Sequence, residues 1–140
     1  MSRLFFALWV FAALPSGAHT LPISYLTLVP DAEYLHVELT LNPFELACFG
    51  QMDMNRNGRF DPDELEAQAD KITRLLLENM TLRVDGKTIP AENAGISPDA
   101  DSHHATLRAH YRVDARRAAL TLESTLQEIT SSSHLSQVNF

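Results

Sequence analysis

The residues with the clearest chemistry lie in one run, Asp53-Met54-Asn55-Arg56-Asn57-Gly58-Arg59-Phe60-Asp61-Pro62-Asp63-Glu64. Oxygen-bearing side chains stand at its first, third, fifth, ninth and twelfth positions: Asp53, Asn55, Asn57, Asp61 and Glu64. A hard cation such as calcium takes about six to eight oxygen ligands at roughly 2.3–2.6 Å, so a loop that holds one must aim oxygens inward at alternating residues. Gly58 stands where such a loop turns most sharply, a conformation that costs glycine little. A plainer reading accounts for part of the run: Asp61 as N-cap, Pro62 at N1 and Glu64 at N3 form a helix-starting capping box. It leaves unexplained the phase of Asp53 and Asn55, and the apolar Phe60 at the eighth position.

Position by position, the run resembles the calcium loop of EF-hand proteins, and the likeness extends over roughly residues 44–76. The resemblance implies Ca²⁺ held by side-chain oxygens of Asp53, Asn55 and Asn57 and by the backbone carbonyl of Arg59. Asp61 would bind directly or through water, and Glu64 through both carboxylate oxygens. One departure concerns number, because EF-hands normally pair. Asp99-Ala100-Asp101 has neither the glycine nor the closing glutamate of a second loop. Phe60 is therefore expected to pack on the rest of the fold.

Histidine supplies a second candidate set. The chain carries six: His19, His36, His103, His104, His110 and His134. If export leaves His19 at the N-terminus, its α-amine and ring nitrogen together form a chelate that suits copper(II) or nickel(II). His36, His104 and His110 fall on the polar faces of strands, where one could complete the set or simply meet solvent. Arg108/Arg112 and Arg116-Arg117 read as a solvated face rather than an anion site. Asn79-Met80-Thr81 is a glycosylation triplet only in a eukaryotic secretory pathway. The sequence carries no phosphate-binding glycine loop, nucleophile elbow or acid–base pair outside the loop, so it is not expected to be an enzyme.

The elements that must position these residues follow from hydrophobic periodicity. Ile23–Val29 and Leu35–Leu41 alternate with period two and read as strands, with Pro30-Asp31 as hairpin-turn chemistry. The period shifts at Pro43: a short helical stretch to Met52, the polar loop, then an amphipathic helix over Pro62–Met80. Thr81–Val84 returns to strand, and Asp85-Gly86 is the pair of a tight hairpin. Ala91–Asp101 reads as a Pro/Gly/Asp loop; His103–Val113, Ala118–Ser124 and His134–Phe140 read as strands. The expected fold is mainly β: an antiparallel, immunoglobulin-like β-sandwich with an EF-hand helix–loop–helix inserted at about residues 43–80, between the second and third strands.

The chain opens with Arg3, an apolar run from Leu4 to Leu14, and small residues at Ser16 and Ala18. That is the layout of a secretory signal peptide, with cleavage expected after Ala18 and one domain over residues 19–140. The mature protein is thus expected outside the cytoplasm, periplasmic or extracellular. Net charge is −7 over all 140 residues, and losing Arg3 makes it more negative. An acidic domain is a poor nucleic-acid partner, since phosphate recognition needs a basic patch. The lone Cys48, in apolar Phe44–Phe49, reads as a buried structural thiol.

Several short features together are similar to the exported N-terminal domain of HupE/UreJ-type membrane proteins. They are His19 after the leader, Ser24-Tyr25 in an early strand, the calcium-type loop with its long helix, Val84-Asp85-Gly86 and the late Ser133-His134. The resemblance implies a domain standing outside a membrane beside a transporter-like partner.

Overall fold

The strictly alternating Leu35, Val37, Leu39 and Leu41 give β2 (Tyr34–Leu41) one dry face, each side chain at most 1 % exposed. This computed structural model describes residues 23–47, 53–57, 61–99, 104–114, 119–129 and 135–139. The expected signal peptide and His19 lie outside those residues, as do Cys48, Gly58, Arg59, Phe60, His103, Arg116, Arg117 and His134.

β1 (Ile23–Pro30) pairs antiparallel with β2, and β2 pairs antiparallel with β6 (Ala105–Arg112). β5 (Asn93–Pro98) closes one edge against β6, giving the order β5-β6-β2-β1-β8, with β8 (Leu135–Asn139) at the other edge. The registers align apolar residues in rows across the sheet: Leu26, Leu39, Leu107, Ile96, and beside them Leu28, Val37, Ala109, Ala94. A second sheet, of order β4-β3-β7, comprises β3 (Met80–Val84), β4 (Lys87–Ile89) and β7 (Leu120–Ser124). Its buried Met80 and Leu82 belong to the same hydrophobic cluster as the first sheet's rows. The protein is mainly β, as the sequence periodicity requires.

Between β2 and β3 in chain order lie α1 (Pro43–Ala47) and α2 (Pro62–Glu78). Buried Leu65, Ile72 and Leu76 form one stripe of α2, which packs against β5 and β3 and joins the same core. The helix stops two residues earlier than the periodicity suggests. Asn79 caps it, its side-chain Nδ2 donating to the Leu75 carbonyl at 2.9 Å, which turns Met80 into the first residue of β3. That bond uses the very nitrogen a glycan would need at Asn79-Met80-Thr81.

Two expectations change. The segment read as a loop over Ala91–Asp101 contains β5; its Asn, Gly and Pro are poor strand formers, but an edge strand with only Ile96 buried tolerates them. The other change is at β8, which pairs with β1 in parallel, so the larger sheet is antiparallel except at that edge. A short helix, α3 (Leu126–Ile129), follows β7 and contributes buried Leu126. At the β3–β4 turn, Asp85 (φ 48) and Gly86 (φ 79) both take the left-handed conformation that a two-residue hairpin loop demands.

Two polar contacts hold the start of this frame. In the β1–β2 turn, Asp31 Oδ1 accepts the N–H groups of Glu33 and Tyr34 at 2.8 and 2.7 Å, while Oδ2 lies 2.8 Å from His36 Nε2. The His36 contact, then the two backbone bonds, hold the Asp31 carboxyl down at about 2. At the opposite end of the β1–β2 pair, Glu45 is 1 % exposed and faces Ser24, itself fully buried on β1. The Ser24 hydroxyl donates to the Glu45 carboxylate (3.2 and 3.0 Å to its two oxygens), and the Asn42 N–H donates to Glu45 Oε2 at 3.0 Å.

Each contact has a measurable consequence. A folded-state pKa below the unfolded value means that the turn's contribution is complete above about pH 4 and is lost as pH falls toward about 2. Carboxyl ¹³C NMR should find Asp31 titrating near 2, well below the ordinary aspartate range, and His36→Gln should return it toward that range. A normal midpoint in the parent chain would disprove the contact. Glu45→Ala withdraws the acceptor from Ser24 and Asn42 and should cost about 1–3 kcal/mol in urea unfolding. A loss within about 0.5 kcal/mol, the size of a neutral surface change, would contradict the role given to that carboxylate.

Candidate functional site

In the described part of the loop, residues 53–57 and 61–64, the side chains of Asp53, Asn55, Asn57, Asp61 and Glu64 join one hydrogen-bond net. The Asn57 N–H is shared between Asp53 Oδ1 at 3.0 Å and Asn55 Oδ1 at 2.9 Å, so the first and third positions aim at one point. The side-chain amides of Asn55 and Asn57 both donate to Asp61 Oδ2, at 3.0 and 2.9 Å. Glu64 closes the ring: its Oε1 accepts the N–H groups of Met54 at 2.8 Å and Asn55 at 3.1 Å. Its Oε2 accepts the N–H of Asp61 at 3.0 Å. The loop folds this way because short Asp and Asn side chains bond readily to backbone groups two to four residues on.

Tightness has a local cost. Arg56 takes φ 59, a left-handed conformation that is disfavoured by about 1–2 kcal/mol for a residue with a Cβ. The Asn57 and Asn55 bonds on either side fix it there. The loop then runs into α2 through the capping box foreseen in the sequence, with Asp61 as N-cap, Pro62 in the first turn and Glu64 at N3. Glu64 is 5 % exposed, whereas Asn55 and Asn57 face solvent.

The donor set is chemically of one kind. Carboxylates of Asp53, Asp61 and Glu64 and amide oxygens of Asn55 and Asn57 are all hard oxygens, which fits calcium and not a thiophilic ion. The carbonyl of Arg59, the sixth residue expected in the set, lies outside the described residues together with Gly58 and Phe60. Among the described residues no three His, Cys, Asp or Glu side chains are grouped closely enough to hold a metal ion. The three carboxylates of the loop meet through the two asparagines and the backbone.

The histidines separate into a pair and a remainder. His36 and His110 stand directly opposite each other on β2 and β6, with ring centres 4.8 Å apart and planes at 77°. His104 sits just before β6, six residues from His110, which in extended chain is about 20 Å. His104 therefore does not join the pair. Arg108 is committed within the sheet, its Nε 3.1 Å from Glu38 Oε1 and its Nη1 3.3 Å from Ser97 Oγ, which is the solvated face expected of it.

Sequence reasoning missed Glu45 as a buried carboxylate. The signal was present: Asn42-Pro43-Phe44-Glu45 repeats the N-cap, proline and N3-glutamate arrangement of Asp61-Pro62-Asp63-Glu64. It also missed the His36–His110 pairing, which depends on the register of strands far apart in the chain. Among the described residues no helix is long and apolar enough to cross a membrane. No family model matches the chain, and no curated protein or solved structure matches it.

Proposed function

We propose that the chain is an exported calcium-binding domain, in which a single EF-hand loop over Asp53–Glu64 takes one Ca²⁺ in a structural role. The observation that carries this reading is the net just described. Side chains at the first, third, fifth, ninth and twelfth positions are tied together, with the twelfth planted at the start of α2. Asp53, Asn55, Asn57, Asp61, Glu64 and the Arg59 carbonyl would hold the ion. The bound ion would neutralise three carboxylates that the loop otherwise links only through two asparagines and the backbone.

The fold that presents the loop is read as a β-sandwich of immunoglobulin-like type, with α1, the loop and α2 inserted between β2 and β3. Two sheets contributing to one hydrophobic cluster support the sandwich. The signal-peptide pattern at the N-terminus supports export, where calcium is abundant. The short motifs similar to the exported N-terminal domain of HupE/UreJ-type membrane proteins support a place outside a membrane, beside a transporter-like partner. The role is binding and stabilisation rather than catalysis.

Affinity follows from the hydrogen bonds. Glu64 Oε1 already serves two N–H groups, and an ion drawn to both oxygens of Glu64 competes with them. With two neutral amides among the ligands, the expected Kd is that of extracellular modules, about 10⁻⁴–10⁻³ M. At ten times Kd, binding adds about 1.4 kcal/mol, which raises the thermal midpoint by a few degrees. Thermal unfolding in millimolar calcium and in chelator measures it. Asp53→Asn keeps the Oδ1 acceptor of Asn57 while removing a charge, so it should fold as before and lose most of the shift. Glu64→Gln gives up one carboxylate acceptor among Met54, Asn55 and Asp61; it should start about 1 kcal/mol less stable and show no shift. A parent chain indifferent to calcium, or variants that shift as it does, would leave only a capped turn.

A further inference from the structure

On the solvent-facing side of the larger sheet, Asn93, His110, His36 and Val29 form one cross-strand row, and the two imidazoles at its centre touch. Two imidazoles on one ion, at metal–nitrogen distances of about 2.0–2.1 Å, place their ring centres roughly 4.5–5.2 Å apart for angles of about 90–110° at the metal. The observed 4.8 Å falls inside that interval. The second half of the arrangement is Asp31, whose Oδ2 lies 2.8 Å from His36 Nε2. A ligating histidine almost always gives its remote ring N–H to a carboxylate, which fixes the tautomer and raises the basicity of the nitrogen that binds. Asp31 is itself immobilised through Oδ1 by the Glu33 and Tyr34 N–H groups. A proton on Nε2 of His36 leaves Nδ1 with its lone pair.

We infer that His36 and His110 form a two-imidazole site for a borderline divalent transition-metal ion of the zinc and copper(II) class, with Asp31 as the positioning residue. Water completes the coordination, as the exposed face allows. Of the charges beside the row, Arg108 is paired with Glu38, Arg112, the other cation two residues from His110, is exposed to solvent, and Asp31 brings a negative charge. The ligands share no residue with Asp53–Glu64, so the site is independent of the calcium reading.

Zinc ion alone, titrated into the full chain with millimolar calcium present, tests it by ¹⁵N imidazole NMR, which reports each histidine separately. The resonances of His36 and His110 should move together along one binding curve. His36→Gln and His110→Gln should each weaken that curve at least ten-fold, with the sheet's backbone spectrum unchanged. Asp31→Asn is the sharper variant. Its Oδ1 stays on the two turn N–H groups, so its amide faces His36 Nε2 as a donor and drives the ring proton to Nδ1. The tautomer switch should be visible before any metal is added, and zinc affinity should fall about 10–100-fold. His36 and His110 unmoved by millimolar zinc, or equal affinity in the single-histidine variants, would overturn the site. A change of affinity in Asp31→Asn without the tautomer switch would remove Asp31 from its role.

Discussion

Glu64 is the side chain on which the middle of this chain turns. A carboxylate almost removed from water is costly unless something replaces its hydration. Here three backbone N–H groups do so, those of Met54, Asn55 and Asp61, and the carboxylate sits in the positive first turn of a 17-residue helix. The burial of the carboxylate is offset by N–H groups that need an acceptor, one at the helix end and two in the loop. One residue thereby ties the first described positions of the loop to the helix ten residues later.

Glu45 repeats the solution one helix earlier. It returns to the Asn42 N–H as Glu64 returns to Asp61, at the same 3.0 Å, and spends its remaining capacity on a distant partner, Ser24 of β1. The two helices flanking the loop are therefore each fastened by an N3 glutamate. α1 is fastened to the sheet, and α2 is fastened to the loop and, through Ile72 and Leu76, to the core. Under the proposed calcium reading, a loop whose first described residues are already held by Glu64 at the start of α2 would lose less entropy when its oxygens gather on an ion than a free one would.

What the sequence made legible was whatever depends on near neighbours. Leu35 to Leu41 and Ala105 to Tyr111 announce strands with one dry face, because period two is a local property. Asp53 to Glu64 announces an oxygen-lined loop, because all its members lie within twelve positions. β5 was hidden by Asn93, Gly95 and Pro98, whose poor propensity is overruled only once β6 supplies a ladder on one side. The parallel β1–β8 edge was hidden for a related reason: a strand's pattern says which face is buried, not which neighbour it takes. Alternation alone assigns His36 and His110 to the polar faces of their strands, yet their meeting depends on a register set by rows of apolar residues on the opposite face of the same sheet. The apolar core decides which polar residues become neighbours outside.

The two candidate sites then differ in how the protein handles a carboxylate. In the loop, Asp53, Asp61 and Glu64 are held by backbone and amide N–H donors, so their hard oxygens are linked through Asn55, Asn57 and the backbone. A large, geometrically tolerant cation suits such a set, whereas magnesium demands near-ideal octahedral ligands and gives up its water reluctantly. On the sheet, Asp31 is bonded to one nitrogen of His36, and the ligands of the proposed site are ring nitrogens, which favour the zinc and copper end of the series. Shared use of aspartate thus produces opposite preferences, because a carboxylate that faces the ion sets its hardness and one that faces the ligand sets the ligand's proton. Calcium has little affinity for neutral imidazole, and a borderline metal gains less from amide oxygens than from two ring nitrogens. Under the two proposals, selectivity between the sites would follow from the atoms that the loop on one side and the strand pair β2–β6 on the other present to an ion.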